Sequence, residues 1–431
     1  MKKSTKDMII IGFALFAMFF GAGNLIFPPS LGYAVGTSYP IAILGFLITG
    51  VGLPLISIIA CANYGGNFKS ITDKVGKNFS LIFNIVLMFI LGPLVVIPRT
   101  AATTFELGVS PSFPSLSPFI VIAIYFLINI FFLLRPSSIV DLIGKFLTPA
   151  LLFILFSIIL KGVISPFSSI NPSQIPNVFS HSLIEGYQTM DVLGAVVIAS
   201  IVINSIKSKG YESRKSVISM TFKAGLISLA GLAIIYGGLT YLGAQTSTIF
   251  TEEVGKSAIL ITIAKNTFGS FGLTALSIAV SLACLTTSIG LTATIAEFFQ
   301  KESNGKISYK FGVLFISTLS GVIATLGVDN IVKYAAPILD ILYPLAMILI
   351  FISFIAKYLG SFSIKITTYT TLLICSITYF ASFGSGNKVM QAFINNLPLS
   401  SKGFHWIIPT LIVLIISVFI EKVFLNKNLE K

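Results

Sequence analysis

Three stretches of this sequence set polar or backbone-exposing residues inside apolar runs, and each combination has a chemical use. The first is Phe19-Phe20-Gly21-Ala22-Gly23-Asn24, followed by Pro28-Pro29. Small residues let a ligand approach the main chain, and a helix restarting after such a turn offers N–H groups and a positive dipole end, which suits a carboxylate. Carbonyls released from the helix that ends near Phe20 suit a small hard cation. The same small residues would also serve as a packing face against a neighbouring helix, but Asn24 and the double proline favour a broken helix that binds.

The second stretch, Ala283-Cys284-Leu285-Thr286-Thr287-Ser288, carries three hydroxyls in sequence. Hydroxyl oxygens are hard ligands for sodium when a helix carbonyl completes the shell; hydrogen bonding back to the carbonyl one turn earlier is the alternative. The third is Asp191, between Gly186 and Gly194. A carboxylate within an apolar span is costly enough to imply a role. It could meet a substrate amine, carry a proton or cap a half-helix, with the cap as the preferred reading. Arg99 and Glu106 stand seven residues apart, about two helical turns, and so on one face. They read as a structural pair or gate near the outer end rather than a substrate contact, and Lys333 with Asp340 reads the same way. Gly23 is expected to reject a large side chain, and Gly45 in the second span to accept one more readily.

Composition determines which elements can position these groups. Of 431 residues, 55% are hydrophobic and 10% charged, with mean hydropathy +0.96. That excludes a soluble enzyme, a disordered chain and a disulfide scaffold. Apolar stretches occur near 8–35, 39–62, 80–106, 117–134, 139–164, 178–206, 217–243, 271–298, 309–327, 331–357, 364–384 and 404–424. About twelve transmembrane helices of about 20 residues are expected, making this an all-α membrane protein whose surroundings are the lipid bilayer. The runs do not alternate as barrel strands do. The first is too long and too interrupted for a cleaved signal peptide.

The 28 Lys and Arg exceed the 15 Asp and Glu by 13. In a soluble domain that excess would raise nucleic acid as a partner; here it does not. Nineteen basic residues, from Lys2 and Arg135 to Lys427 and Lys431, fall in alternate connections, and only six in the others. Both termini are therefore expected in the cytoplasm. Cys61, Cys284 and Cys375 have no CxxC partner, His181 and His405 have no metal-ligand spacing, and GxSxG, HExxH and P-loop patterns do not occur. Neither an enzyme nor an ATP-driven machine is expected, and nothing indicates an oligomeric state.

Breaks are thus expected in spans one and six. Two five-helix halves, 8–164 and 178–357, would each contain an odd number of spans and so be inverted relative to one another, with 364–424 adding two C-terminal helices. Broken helices at corresponding places in two halves point to a transporter substrate site.

From Gly12 to Pro29 the sequence closely resembles the bacterial branched-chain amino acid:cation symporter family, the BrnQ-type carriers. The likeness continues through Gly186-Tyr187, Thr189-Met190-Asp191, Ala283 to Thr287, Ile289-Gly290-Leu291-Thr292, Glu297-Phe298-Phe299, and Leu397-Pro398-Leu399 with Trp406 and Pro409. It departs at Ile198-Ala199, where the family pattern leads to Phe-Gly. The family is similar to the larger group sharing the five-plus-five inverted-repeat fold of amino acid and neurotransmitter:sodium symporters. The resemblance implies a sodium site made by the carbonyls of Ala17, Phe20 and Ala283 and the hydroxyls of Thr286 and Thr287. It also implies that Gly21, Ala22 and Gly23 receive the substrate carboxylate and that Asn24 belongs to a further sodium site; Thr189 and Asp191 count with Gly21 to Asn24 as candidate substrate-binding residues. The implied function is import of leucine, isoleucine and valine across the bacterial inner membrane with sodium. A proton as coupling ion is the alternative, and a channel or sensor of the same fold is the competing class.

Overall fold

The computed structural model describes residues 3–134, 139–250, 252, 254–382 and 388–425. Four of the residues assigned above to the cytoplasmic side, Lys2, Arg135, Lys427 and Lys431, lie outside them. The described residues contain no strand. In hydrocarbon each backbone group must find its partner within the segment, and a helix achieves that.

The first part of the chain forms α1 (Lys3–Phe19), α2 (Ala22–Val35), α3 (Tyr39–Leu47), α4 (Leu53–Asn63), α5 (Lys69–Thr72), α6 (Lys77–Phe89), α7 (Val96–Thr103), α8 (Pro118–Leu134) and α9 (Ile139–Ile164). Then follow α10 (Val178–Tyr187), α11 (Asp191–Ser208), α12 (Arg214–Gln245), α13 (Lys256–Glu302), α14 (Tyr309–Ala324), α15 (Val328–Ile355), α16 (Ser361–Ser382), α17 (Lys388–Asn395) and α18 (Ile407–Ile420). Each of the twelve apolar stretches contains one or two of these helices. Among the described residues seven helical segments are long and apolar enough to cross a membrane, with shorter apolar helices at Pro118–Leu134, Pro149–Ile164 and Tyr309–Ala324. Fewer segments reach that length than the twelve expected, partly because breaks divide the apolar runs.

Local chemistry sets several boundaries. Ser213 and Ser308 accept hydrogen bonds from the N–H groups of Ser216 (3.2 Å) and Phe311 (3.3 Å), capping α12 and α14. Prolines stand in the first turns of α3, α4 and α8, where no intrahelical donor is lost. Two interruptions were not anticipated. Between α6 and α7 the chain breaks at Gly92 (φ −93, ψ −118), just before Pro93. α13 starts well before the expected residue 271 and bends at Gly269 (φ 61, ψ −145).

The core forms where α12 lies along α1 and α2. A Cβ on Gly32 would collide with the Thr240 carbonyl, and one on Gly243 with the Pro29 carbonyl, so α2 and α12 touch main chain to main chain. The outer surface bears large apolar side chains, among them Phe119, Leu127, Phe271 and Ile415, largely exposed. Such a coat suits lipid and not water.

Carboxylates tie helix ends together. Glu106 accepts from the Ser257 hydroxyl (2.5 Å) and the Val328 N–H (2.8 Å), joining the end of the third span to the starts of α13 and α15. Glu421, just beyond α18, accepts from the N–H groups of Gly360 (3.1 Å), Phe362 (3.2 Å) and Ser363 (3.1 Å) and from the Ser363 hydroxyl, closing the N-terminus of α16. Lys69 pairs with Glu302 at 2.6 Å, and Asp7 takes Lys209 (3.5 Å) and the Tyr211 hydroxyl (3.2 Å).

Candidate binding site at two helix breaks

Both expected breaks are present. α1 stops at Phe19 and α2 begins at Ala22, with Gly21 extended (φ −125, ψ −174). α10 stops at Tyr187 and α11 begins at Asp191, with Met190 left-handed (φ 65). Side chains from elsewhere hold the exposed backbone. The Asn24 amide nitrogen donates to the Phe19 carbonyl (2.9 Å), to Asp191 Oδ2 (2.8 Å) and to the Tyr236 hydroxyl. An amide nitrogen has two hydrogens, so two of the three are served at once. Arg99, 2% exposed, donates through Nη1 to the Gln188 carbonyl (2.9 Å) and through Nη2 to the Thr189 carbonyl (3.3 Å). The Thr189 hydroxyl donates to the Gly186 carbonyl at 2.8 Å.

The breaks meet at a cavity of about 600 Å³, a size usual for small-molecule sites. Ala17, Gly21, Ala22, Gly23, Asn24, Thr189, Asp191, Thr286 and Thr287 all line it. Phe20 and Ala283 do not. The Phe20 ring stacks on Phe16, with centroids 5.4 Å apart, and the Ala283 carbonyl accepts from both threonine hydroxyls, each at 2.9 Å. The threonines thus make the back-bonds described as the alternative, and both still line the cavity. α1 packs on α11 and α12 and scarcely on α13, so the cavity separates the two proposed ligand-bearing helices. An apolar wall of Leu91, Val197, Ile198, Ile201 and Leu291 completes it.

The lining extends from the breaks toward one end of the bundle, as far as Ala14 on α1, Ile201 on α11 and Thr294 on α13. On the other side of the second break, Tyr187 stacks on Tyr343 at 4.6 Å and meets Phe404 edge-on at 6.3 Å. None of these three rings lines the cavity.

Four readings of the sequence need correction. Arg99 and Glu106 do not pair: the arginine holds the second break and lines the cavity, and the glutamate ties helix ends. Lys333 and Asp340 likewise form no ion pair among the described residues. Asp191 is not a cap. The residue before α11 is Met190, whose side chain makes no capping bond, the Thr189 hydroxyl accepts from the Asp191 N–H (3.4 Å), and the Asp191 carboxylate turns to Asn24 instead. Gly45 is no open position either, since a Cβ there would lie 2.8 Å from the Phe179 carbonyl. Sequence reasoning missed Tyr236, whose only signal was a tyrosine inside an apolar span; Ile198, singled out as a departure from the family pattern, falls on the cavity wall.

The family model for the branched-chain amino acid transport protein matches residues 4–424. The branched-chain amino acid permease BraB of Bacillus subtilis is 40% identical over 94% of this chain and 94% of its own. A putative branched-chain amino acid carrier protein of Staphylococcus haemolyticus is 35% identical over 98% of each chain. In fold, the chain is similar to Mhp1, a nucleobase-cation-symport-1 family transporter solved closed with bromovinylhydantoin bound. That likeness has a TM-score of 0.63 at 15% identity, over 97% of this chain and 93% of that one. An all-helical, multi-pass architecture, a cavity at two helix breaks and a family match along nearly the whole chain have one outcome: this protein belongs to the family of branched-chain amino acid transport proteins.

Proposed function

We propose that the protein imports leucine, isoleucine and valine together with sodium, by alternating access around the cavity between its two broken helices. One observation carries the reading: main-chain groups of both breaks, a carboxylate, a guanidinium and an aliphatic wall converge on one cavity. An α-amino acid with a branched aliphatic side chain presents the complement of that set. Asp191 meets the ammonium, the first turn of α2 at Ala22 and Gly23 receives the carboxylate, and Val197, Ile198 and Ile201 face the side chain. The two breaks occupy the same place in 8–164 and 178–357, which supports an inverted five-plus-five repeat in a bundle of twelve spans, with 364–424 as an appendage. With both termini cytoplasmic, a reading the distribution of basic residues supports, the cavity opens to the cytoplasm and the Tyr187–Tyr343 stack closes the outer side.

Sodium is placed between α1 and α13, among Ala17, Phe20, Ala283, Thr286 and Thr287. Hydroxyl and carbonyl oxygens are its proper donors. Binding there draws the two helices together across the cavity, so a loaded protein favours a different packing from an empty one. Uptake of labelled leucine into vesicles, with sodium replaced by choline at fixed pH, tests the coupling. Uptake that persists without sodium and follows a proton gradient replaces the ion with a proton. Leucine that equilibrates and never accumulates identifies a channel.

A further inference from the structure

Arg99 is the one cation among the described residues that line the cavity, and no carboxylate among them stands in direct contact with it. No ion pair within 4.0 Å includes it among the described residues, and its Nε hydrogen, buried, has no acceptor. The carboxylate in the same cavity, Asp191, is bonded to Asn24. A buried guanidinium held by two carbonyls and facing the Phe27 ring (5.5 Å) keeps its full charge, and a charge at membrane depth without a contacting counter-ion is costly. Its location indicates the missing partner. A Cβ built on Gly23 would lie 2.7 Å from Arg99 Nη2, so the guanidinium lies directly over the first turn of α2. The leading N–H groups of that helix have no intrahelical acceptor. A planar fork of donors beside free N–H groups matches one ligand group above others, a carboxylate.

The geometry points to Arg99 as the residue that binds the carboxylate of the transported amino acid, in company with the N–H groups of Ala22 and Gly23. This rests on the reading of the cavity as an amino acid site. Arg99 and Asp191 then form a matched set for a zwitterion, and remain apart because the substrate comes between them. The arginine also holds the second break, so the carboxylate, once bound, is linked through one side chain to both interrupted helices.

The test uses the purified full-length protein in lipid nanodiscs, with labelled leucine displaced by unlabelled leucine or by leucinamide, which keeps the amine and lacks the charged carboxylate. Wild-type protein is expected to prefer leucine by about 100-fold, the size associated with leaving a buried charged partner unpaired. Arg99→Gln is expected to reduce that preference to about 3-fold or less, and Arg99→Lys, which keeps the charge without the fork, to an intermediate value. A role confined to holding the second break would weaken both ligands alike and leave the preference unchanged, and that result overturns the assignment. The wild-type measurement alone decides the matter if the variants do not fold: leucinamide binding as tightly as leucine removes Arg99 from the carboxylate. Wild-type protein that binds neither ligand instead overturns the amino acid reading of the cavity.

Discussion

The two helix breaks share a cavity but are secured by unlike means. At the first, one neutral amide, Asn24, reaches the Phe19 carbonyl, Asp191 and Tyr236. At the second, a charged side chain from another span fixes two carbonyls, and Met190 accepts a left-handed backbone that costs a non-glycine residue about 1 kcal/mol. A neutral amide with more acceptors than hydrogens can exchange partners; a guanidinium bonded to two carbonyls has little freedom. The contrast teaches that the first break is the adaptable half of the site and the second its fixed reference.

The strongest way to break this comparison is Asn24→Leu. Losing the amide leaves the Phe19 carbonyl without its side-chain donor and takes one donor from the Asp191 carboxylate, at about 1–3 kcal/mol each. Leucine uptake in proteoliposomes should fall about 100-fold, and uptake near wild type would show that the first break supports itself. Next in size, Asp191→Asn keeps an acceptor for Asn24 but removes the charge that meets an ammonium, and uptake should fall about 30-fold with insertion intact. Retention of most activity there would remove Asp191 from the substrate. Smaller again, Thr286→Ala or Thr287→Ala should raise the sodium needed for half-maximal uptake about 5-fold, one hydroxyl's worth of stabilisation. A sodium dependence unmoved in both variants rejects the α1–α13 ion site. The smallest effect sharpens the comparison within the first break. Gly21 is extended and nothing lies within 4 Å of an added Cβ, so Gly21→Ala should change leucine affinity less than about 2-fold, whereas Gly23→Ala presses on Arg99 and should weaken it about tenfold. Equal effects would mean the two glycines are interchangeable.

Both breaks could be read from the sequence because they are local: Gly, Asn and Pro inside an apolar run interrupt a helix wherever it later packs. The hydroxyl cluster was readable for the same reason. Arg99 was misassigned because seven residues were taken as two regular turns. The turns from Thr104 to Val109 are wider, π-helical ones, and they carry Glu106 off the arginine's face. Asp191 was misassigned by one position at a helix start, where sequence patterns are least exact. Tyr236 could not have been found this way, since it meets Asn24 across 212 residues of chain. Contacts of that separation are created by packing and leave no spacing to read.

Glu421 has a consequence in time as well as in space. It closes the N-terminus of α16, yet follows Gly360 by 61 residues, so α16 is synthesised and enters the bilayer well before its acceptor exists. Until α18 and the residues just after it emerge from the ribosome, those N–H groups lack their carboxylate acceptor. A premature stop codon shortly before Glu421 would spare every residue of the cavity. Its product would nonetheless be an unfinished chain bearing an uncapped helix, and the substrate of membrane proteases before it is ever the carrier of an amino acid.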